Sequence, residues 1–119
     1  MGRYSDALKQ QVASYGESEW VGKLGDVDVH LKSLPLTNAD ITNVARKHKG
    51  WINEPTVESM VDCLILKARS ADDGQRAFDM TDKPLLMRMT AEEVGDIFSA
   101  LLGSAFEDTE EAHEERVKN

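Results

Sequence analysis

The sequence has a single cysteine, Cys63, and no long apolar run. One cysteine has no partner for an internal disulfide, so we expect a reducing compartment. A membrane-spanning helix needs about 20 consecutive apolar residues, so we do not expect this chain to be a membrane protein. The first residues include no apolar signal core, which favours the cytoplasm.

Basic residues are too few to balance the acidic ones. The chain of 119 residues has 14 Lys and Arg against 22 Asp and Glu, which gives a net charge of -8. The field of such a protein repels nucleic acid and anionic membrane surfaces. We therefore expect protein partners, with no membrane contact and little prospect of nucleic-acid binding.

Sequence motifs that mark active sites are also missing. There is no glycine-rich phosphate loop, nucleophile elbow, cysteine pair or HExxH stretch. Cys63 lies in an apolar helical stretch, the usual setting of an inert buried thiol. We therefore predict a protein that is not an enzyme, with no catalytic residues and no cofactor.

The composition that remains is ordinary for one globular domain, with 40% hydrophobic and 30% charged residues. A chain of this size buries a modest core without needing a metal or disulfides. We predict a single domain over residues 1–106. Residues 107–119 are acidic and lack hydrophobic periodicity, which predicts a disordered tail or a frayed helix that includes a solvated His113.

A β-hairpin is predicted over about residues 19–34, where apolar and polar side chains alternate on both sides of Gly25-Asp26. Glycine first in a two-residue loop is typical of a type II′ turn, and such a turn fixes the register. The predicted pairs are Leu24 with Val27, Gly22 with Val29 and Trp20 with Leu31 on an apolar face, and Lys23 with Asp28, Val21 with His30 and Glu19 with Lys32 on a polar face.

Three residues of this hairpin, Asp26, Asp28 and His30, share the residue types of a metal site. Alternate residues of a strand lie on one face, and carboxylates with an imidazole suit several divalent ions. However, Asp28 has Lys23 opposite it, Asp26 lies in the turn, and no further His or Cys is near in the sequence to complete a ligand shell. We interpret the three as solvated side chains and predict no metal site.

Helices dominate the rest of the chain. A short helix is predicted over residues 4–15, with Ser5 or Asp6 as its N-cap. Capping boxes begin two further helices, one at Thr37 that runs to Gly50 and one at Thr90. Between them, Pro55 fits the first turn of a central core helix, and residues 84–89 form a short apolar segment. The predicted fold class is α+β, mainly α: an N-terminal β-hairpin followed by a small bundle of about four helices, with a flexible acidic C-terminal tail.

The segment SADDGQRAF, residues 70–78, contains the Asp-Gly of a tight turn and predicts a loop or a minor strand. Its aspartates, Asp72 and Asp73, together with Asp79, weakly resemble a calcium loop. The alternating oxygen ligands and the closing glutamate of that motif are missing, so a turn is the better interpretation.

A basic run, Arg46 to Lys49, precedes Trp51. Cations beside an aromatic ring are the combination that single-strand binders use. The run equally suits the negative C-terminal end of a helix, with His48 at the edge of the core. The alternative function is therefore a small regulatory adaptor that contacts nucleic acid through the basic and aromatic patch at 46–51.

Three stretches within residues 18–106 carry a resemblance to a known family. They are WVGKLGDVDVHLKSLPLTNADI, LILKARSADDGQRAF and TAEEVGDIFSALLGSA. A hairpin leads into an LPL turn, a mid-chain helix closes on an Asp-Asp-Gly turn before an aromatic residue, and a final helix contains Ile-Phe. This order resembles the tail assembly chaperone family of long-tailed bacteriophages, of the siphophage type.

The resemblance implies a small, mainly helical, self-associating protein of the host cytoplasm that is absent from the mature virion. It implies binding to the hydrophobic tape measure protein, which is kept soluble while the tail polymerises. It also implies a longer form, made by ribosomal frameshifting, whose extension recruits the tail tube protein; a slip near Lys118 is our expectation. Four methionines suit a surface that accepts varied apolar segments, and core filling explains them equally well: Met60, Met80, Met87 and Met89.

Overall fold

A computed structural model describes residues 2–106, and the predicted tail at 107–119 lies outside the described residues. The chain forms a small α+β domain with a three-stranded antiparallel sheet. Its elements are α1 (Ser5–Ala13), β1 (Ser18–Leu24), β2 (Val27–Ser33), α2 (Asn38–Ala45), α3 (Val57–Lys67), β3 (Arg69–Ser70), a 3-10 helix (Met80–Asp82), α4 (Lys83–Leu86) and α5 (Ala91–Leu102). Within residues 2–106, no helix is long and apolar enough to cross a membrane.

The hairpin forms in the predicted register. All six predicted residue pairs are present between β1 and β2, and Ser18 with Ser33 extends the ladder. Gly25 has a φ of +62°, while Asp26 does not enter the positive region, as a type II′ turn requires. In β1, burial alternates along the strand, so Trp20 and Leu24 face the core and Val21 faces solvent.

The sheet has one more strand than the predicted hairpin. β3 pairs with the far side of β2, with Leu31 opposite Ser70 and Lys32 opposite Arg69. The chain then reverses through a turn in which Gly74 has a φ of +71°, a conformation that glycine adopts without steric cost. Since the strand order is β1-β2-β3, β1 is an edge strand.

The capping boxes predicted at Thr37 and Thr90 are both present, with reciprocal hydrogen bonds to Asp40 and Glu93. Two predicted helix boundaries are wrong. α2 ends at Ala45, not at Gly50. Pro55 does not lie in the first turn of α3, because a third capping box between Thr56 and Ser59 makes Thr56 the N-cap and Val57 the first helical residue.

The hydrophobic core is built mainly from α3 and α5, which pack together under the inner face of the sheet. Its buried apolar side chains are Leu31, Val44, Trp51, Val61, Cys63, Leu64, Ile65, Ala68, Leu86, Val94, Ile97, Phe98, Leu101 and Leu102. The spacing in α5 follows one helix face, as its sequence periodicity predicts.

Helix α1 contributes nothing to this core. The helix forms within the predicted range, but none of its residues is buried. The prediction of Ser5 or Asp6 as its N-cap is wrong: Tyr4 occupies that position and makes no side-chain capping bond. The helix thus presents its apolar side chains to solvent.

Candidate functional site

The polar face of the hairpin carries ion pairs, as its register predicts. Lys23 Nζ lies 3.9 Å from Asp28 Oδ1, and both side chains are largely exposed. Glu19 bridges two residues of β2, with His30 Nε2 at 3.3 Å and Lys32 Nζ at 3.5 Å. The structure therefore places Asp28 beside Lys23 and His30 beside Glu19, and not around a common point.

The Asp-Gly segment forms a turn. Asp73 Oδ1 accepts a hydrogen bond from the backbone N–H of Gln75 at 2.9 Å. Asp79 is the N-cap of the 3-10 helix and accepts from the N–H of Thr81 at 2.8 Å. These carboxylates serve local backbone structure.

Cys63 lies at the centre of α3 and is fully buried. Burial, followed by the charges of Asp62 and Asp40, raises the pKa of its thiol to about 12. Since the thiolate is the nucleophilic form, the thiol is unreactive at neutral pH.

The basic and aromatic patch at 46–51 does not exist as one surface. Arg46, Lys47 and Lys49 are exposed, but the side chain of Trp51 is only 2% exposed. Its Nε1–H donates a hydrogen bond to the carbonyl oxygen of Ile41 at 3.0 Å. The expectation that Trp51 stacks on a base is therefore wrong, because its ring is part of the core.

Sequence reasoning missed an ionic cluster that joins the loop after α2 to α3 and α4. His48 Nε2 lies 2.6 Å from Asp62 Oδ2, and Lys83 Nζ lies 2.9 Å from Asp62 Oδ1. Lys83 Nζ also donates a hydrogen bond to Glu58 Oε1 at 3.0 Å. The only sequence signal was the i, i+4 spacing of Glu58 and Asp62 on the polar edge of α3.

This cluster has the composition of a divalent-cation site, since ligand atoms of His48, Glu58 and Asp62 lie within 4.8 Å of one another. The ammonium group of Lys83 supplies the positive charge that balances the carboxylates of this cluster. Burial by itself raises the pKa of Asp62, but its interactions with Lys83 and His48 outweigh burial and hold that pKa below its usual value. The cluster is thus an internal ion-pair network that fastens the start of α4 to α3.

The four methionines divide into two kinds. Met60 and Met89 are half-buried and pack against the core. Met80 is 51% exposed and Met87 is 40% exposed. Met80 and Met87 therefore offer deformable side chains at the surface.

Helix α1 and the residues beside it present an apolar stripe, which we call the N-terminal stripe and define as Tyr4, Leu8, Val12 and Tyr15. Their spacing of four, four and three residues places them on one helical face. Leu8 and Val12 are 65% and 64% exposed. The guanidinium of Arg3 lies over the ring of Tyr4, and Val12 and Tyr15 line a cavity shared with residues 35–39. Exposed apolar side chains on one helical face are typical of an interaction surface.

A groove of about 430 Å³ opens between the hairpin tip and α4. We call it the α4 groove; its apolar lining is Leu24, Ala77, Phe78, Leu85, Leu86 and Met89. Lys23, Asp82 and Glu93 also line it. An apolar groove with a few charged side chains suits the apolar face of a helix.

Comparisons with protein-family models, with curated proteins and with solved structures give no match for this chain. The candidate site consists of the N-terminal stripe and the α4 groove.

Proposed function

We propose that this protein is a phage tail assembly chaperone that binds an apolar helical segment of the tape measure protein and keeps it soluble. The proposal takes its partner from the family resemblance of residues 18–106. The observation that carries it is the N-terminal stripe, because the fold leaves Leu8 and Val12 about two-thirds exposed. Exposed apolar side chains that do not serve the core are available to a partner.

The α4 groove supports the same function. Leu85 lies at this groove with 63% of its surface exposed, and Met87 of the same segment is exposed too. A helix laid in such a groove binds through apolar residues spaced by three or four positions. Flexible methionine and leucine side chains accept many similar sequences, which suits a long partner with repeated apolar segments.

The net charge of -8 favours solubility of the loaded complex, since like-charged particles repel one another. The proposal assigns the protein no catalytic activity and no cofactor, and places it in the host cytoplasm, outside the mature virion. The finer architecture in this proposal is a hairpin backed by a helical bundle, with the acidic residues 107–119 after it. A longer frameshifted form recruits the tail tube protein through an extension of these residues.

Co-expression with the product of the neighbouring large open reading frame tests the proposal. The large protein is expected in the insoluble fraction when made alone, and in the soluble fraction, bound to this chain, when the two are made together. The proposal fails if the large protein distributes in the same way with and without this chain.

The nucleic-acid adaptor is not proposed as a second function. The sequence pattern that suggested it combined cations with the aromatic ring of Trp51. Because this ring is buried, it is not available to stack on a base. Arg46 is the C-cap of α2, and Lys47 and Lys49 are exposed cations in the turns that follow it.

A further inference from the structure

The outer edge of β1 has unpaired backbone groups. In a hairpin closed by a two-residue turn, the pair beside the turn is hydrogen-bonded, and hydrogen-bonded pairs recur at every second position. Leu24 with Val27 is that pair, so the N–H and C=O groups of Glu19, Val21 and Lys23 point away from β2. In residues 2–106, no loop or helix donates to or accepts from the backbone of these three residues.

The side chains above this edge are self-complementary. Glu19, Val21 and Lys23 follow one another on the outer face of the sheet as an acid, an apolar residue and a base, and Val21 is 71% exposed. Val21 is also the central residue of the strand Ser18–Leu24. An antiparallel pairing about Val21 therefore overlaps the whole strand and brings each acid opposite a base.

We propose that a second copy of this chain pairs its β1 antiparallel with β1, about a two-fold axis at Val21, to form a six-stranded sheet across the dimer. Glu19 of each copy then lies opposite Lys23 of the other, and the two Val21 side chains meet at the axis. Each of these three residue pairs forms two hydrogen bonds between backbones. The interface is isologous, as a two-fold axis demands.

The ion pairs within each hairpin extend this arrangement. Glu19 already pairs with Lys32, and Lys23 with Asp28. Across the dimer, one row of side chains on the outer face crosses four strands. It contains Lys32 and Glu19 of one copy, followed by Lys23 and Asp28 of the second copy, so positive and negative charges alternate along it. A parallel pairing in register would instead oppose each residue to its own copy and repel at both charged positions.

The charged side chains also limit which strands can pair with the edge of β1. Charged residues on an edge strand hinder pairing with unrelated strands. Here they favour one register of one partner. This pairing goes beyond the proposed chaperone function and does not rest on it, because it involves the purified chain alone.

Variants with reversed charges test the proposal. Their monomer–dimer equilibrium is measured by sedimentation of the purified chain at micromolar to sub-millimolar concentrations. The wild type is expected to dimerise. E19K and K23E each create two like-charge pairs per dimer, so each alone is expected to weaken dimerisation at least about tenfold. A mixture of E19K with K23E places Lys opposite Glu at both positions and is expected to restore a heterodimer.

Two further variants separate the edge from other surfaces. V21P removes an outward N–H without breaking the ladder to β2, so it is expected to abolish dimerisation while a folded monomer remains. Q10K changes an exposed residue of α1 outside the N-terminal stripe and is expected to leave the dimer intact. The pairing is overturned if the wild type is monomeric throughout, if E19K or K23E dimerises as tightly as the wild type, or if the mixture stays monomeric. A hairpin merely damaged by either substitution would not recover on mixing.

Discussion

The rings of Trp51 and Phe106 meet edge to face, with centroids 6.2 Å apart and planes inclined by 68°. Phe106 also contacts Phe98 of α5, at 5.7 Å between centroids. These three aromatic side chains join the loop after α2 to the residues that follow α5. The last described residue of the chain thus still belongs to the packed domain.

Truncation at this position is the first prediction. Deleting residues 108–119 is expected to leave the melting temperature unchanged, because the aromatic contacts of Phe106 remain. Phe106→Ala is expected to cost about 1–3 kcal/mol, less than a fully buried phenylalanine, since its side chain is half-buried. Chemical denaturation of both variants checks this. A deletion that abolishes soluble folding, with Phe106→Ala silent, contradicts the domain boundary.

The two tryptophans are expected to differ in their importance for stability. Trp51→Ala removes a fully buried ring and its hydrogen bond to Ile41, at a cost of about 3–5 kcal/mol. Trp20 faces the core but is only half-buried, so Trp20→Ala is expected to cost less. Urea denaturation orders the two variants. Equal costs would show that the inner face of the hairpin is packed more tightly than the structure indicates.

Asp62 provides a test by pH. Its folded-state pKa is lowered, so its contribution to stability is present above its unfolded pKa of about 3.9 and is lost as the pH falls through the folded value. Asp62→Asn is therefore expected to cost about 1–3 kcal/mol at pH 7 and progressively less in acid. The exposed Asp28→Asn is the matched control, with little cost at either pH. A penalty for Asp62→Asn that stays constant down to pH 2 contradicts the ion-pair network.

The polar residues of the hairpin are expected to tolerate replacement. Changing Asp26, Asp28 and His30 together to Asn, Asn and Gln removes the exposed ion pair of Asp28 with Lys23, worth about 0.2–1 kcal/mol, and the half-exposed contact of His30 with Glu19. The folded yield and the binding of partners should not change. A stoichiometric divalent ion that the wild type holds and the triple variant loses would show that a metal site was overlooked.

The hairpin was predictable pair by pair because a two-residue turn that begins with Gly25 leaves one register that puts the apolar side chains of both strands, except Val21, on the same face. The helices at Thr37 and Thr90 were predictable because capping boxes are local signals. The start of α3 was not predictable, since Ser59 takes the place of the Glu or Gln that usually completes a capping box. A strand of two residues, as in β3, leaves no periodicity to read.

Long-range contacts account for the rest. The burial of Trp51 depends on Ile41 and Phe106, and nothing in the basic residues around it indicates a core position. The cluster of His48, Asp62 and Lys83 joins residues far apart in the sequence. The exposure of α1 was likewise hidden, because an amphipathic pattern predicts an apolar face and does not specify what covers it.

Binding of a purified tape measure fragment to variants of α1 tests the central claim most directly. L8K/V12K places two charges on the N-terminal stripe, whereas Q10K/A13K adds the same charge to the opposite, exposed face. The account predicts that L8K/V12K weakens binding at least about tenfold, since two apolar contacts are lost and two cations are desolvated, while Q10K/A13K binds as the wild type does. Equal affinity of L8K/V12K and the wild type, with both folded, would contradict the claim that this stripe holds the apolar partner.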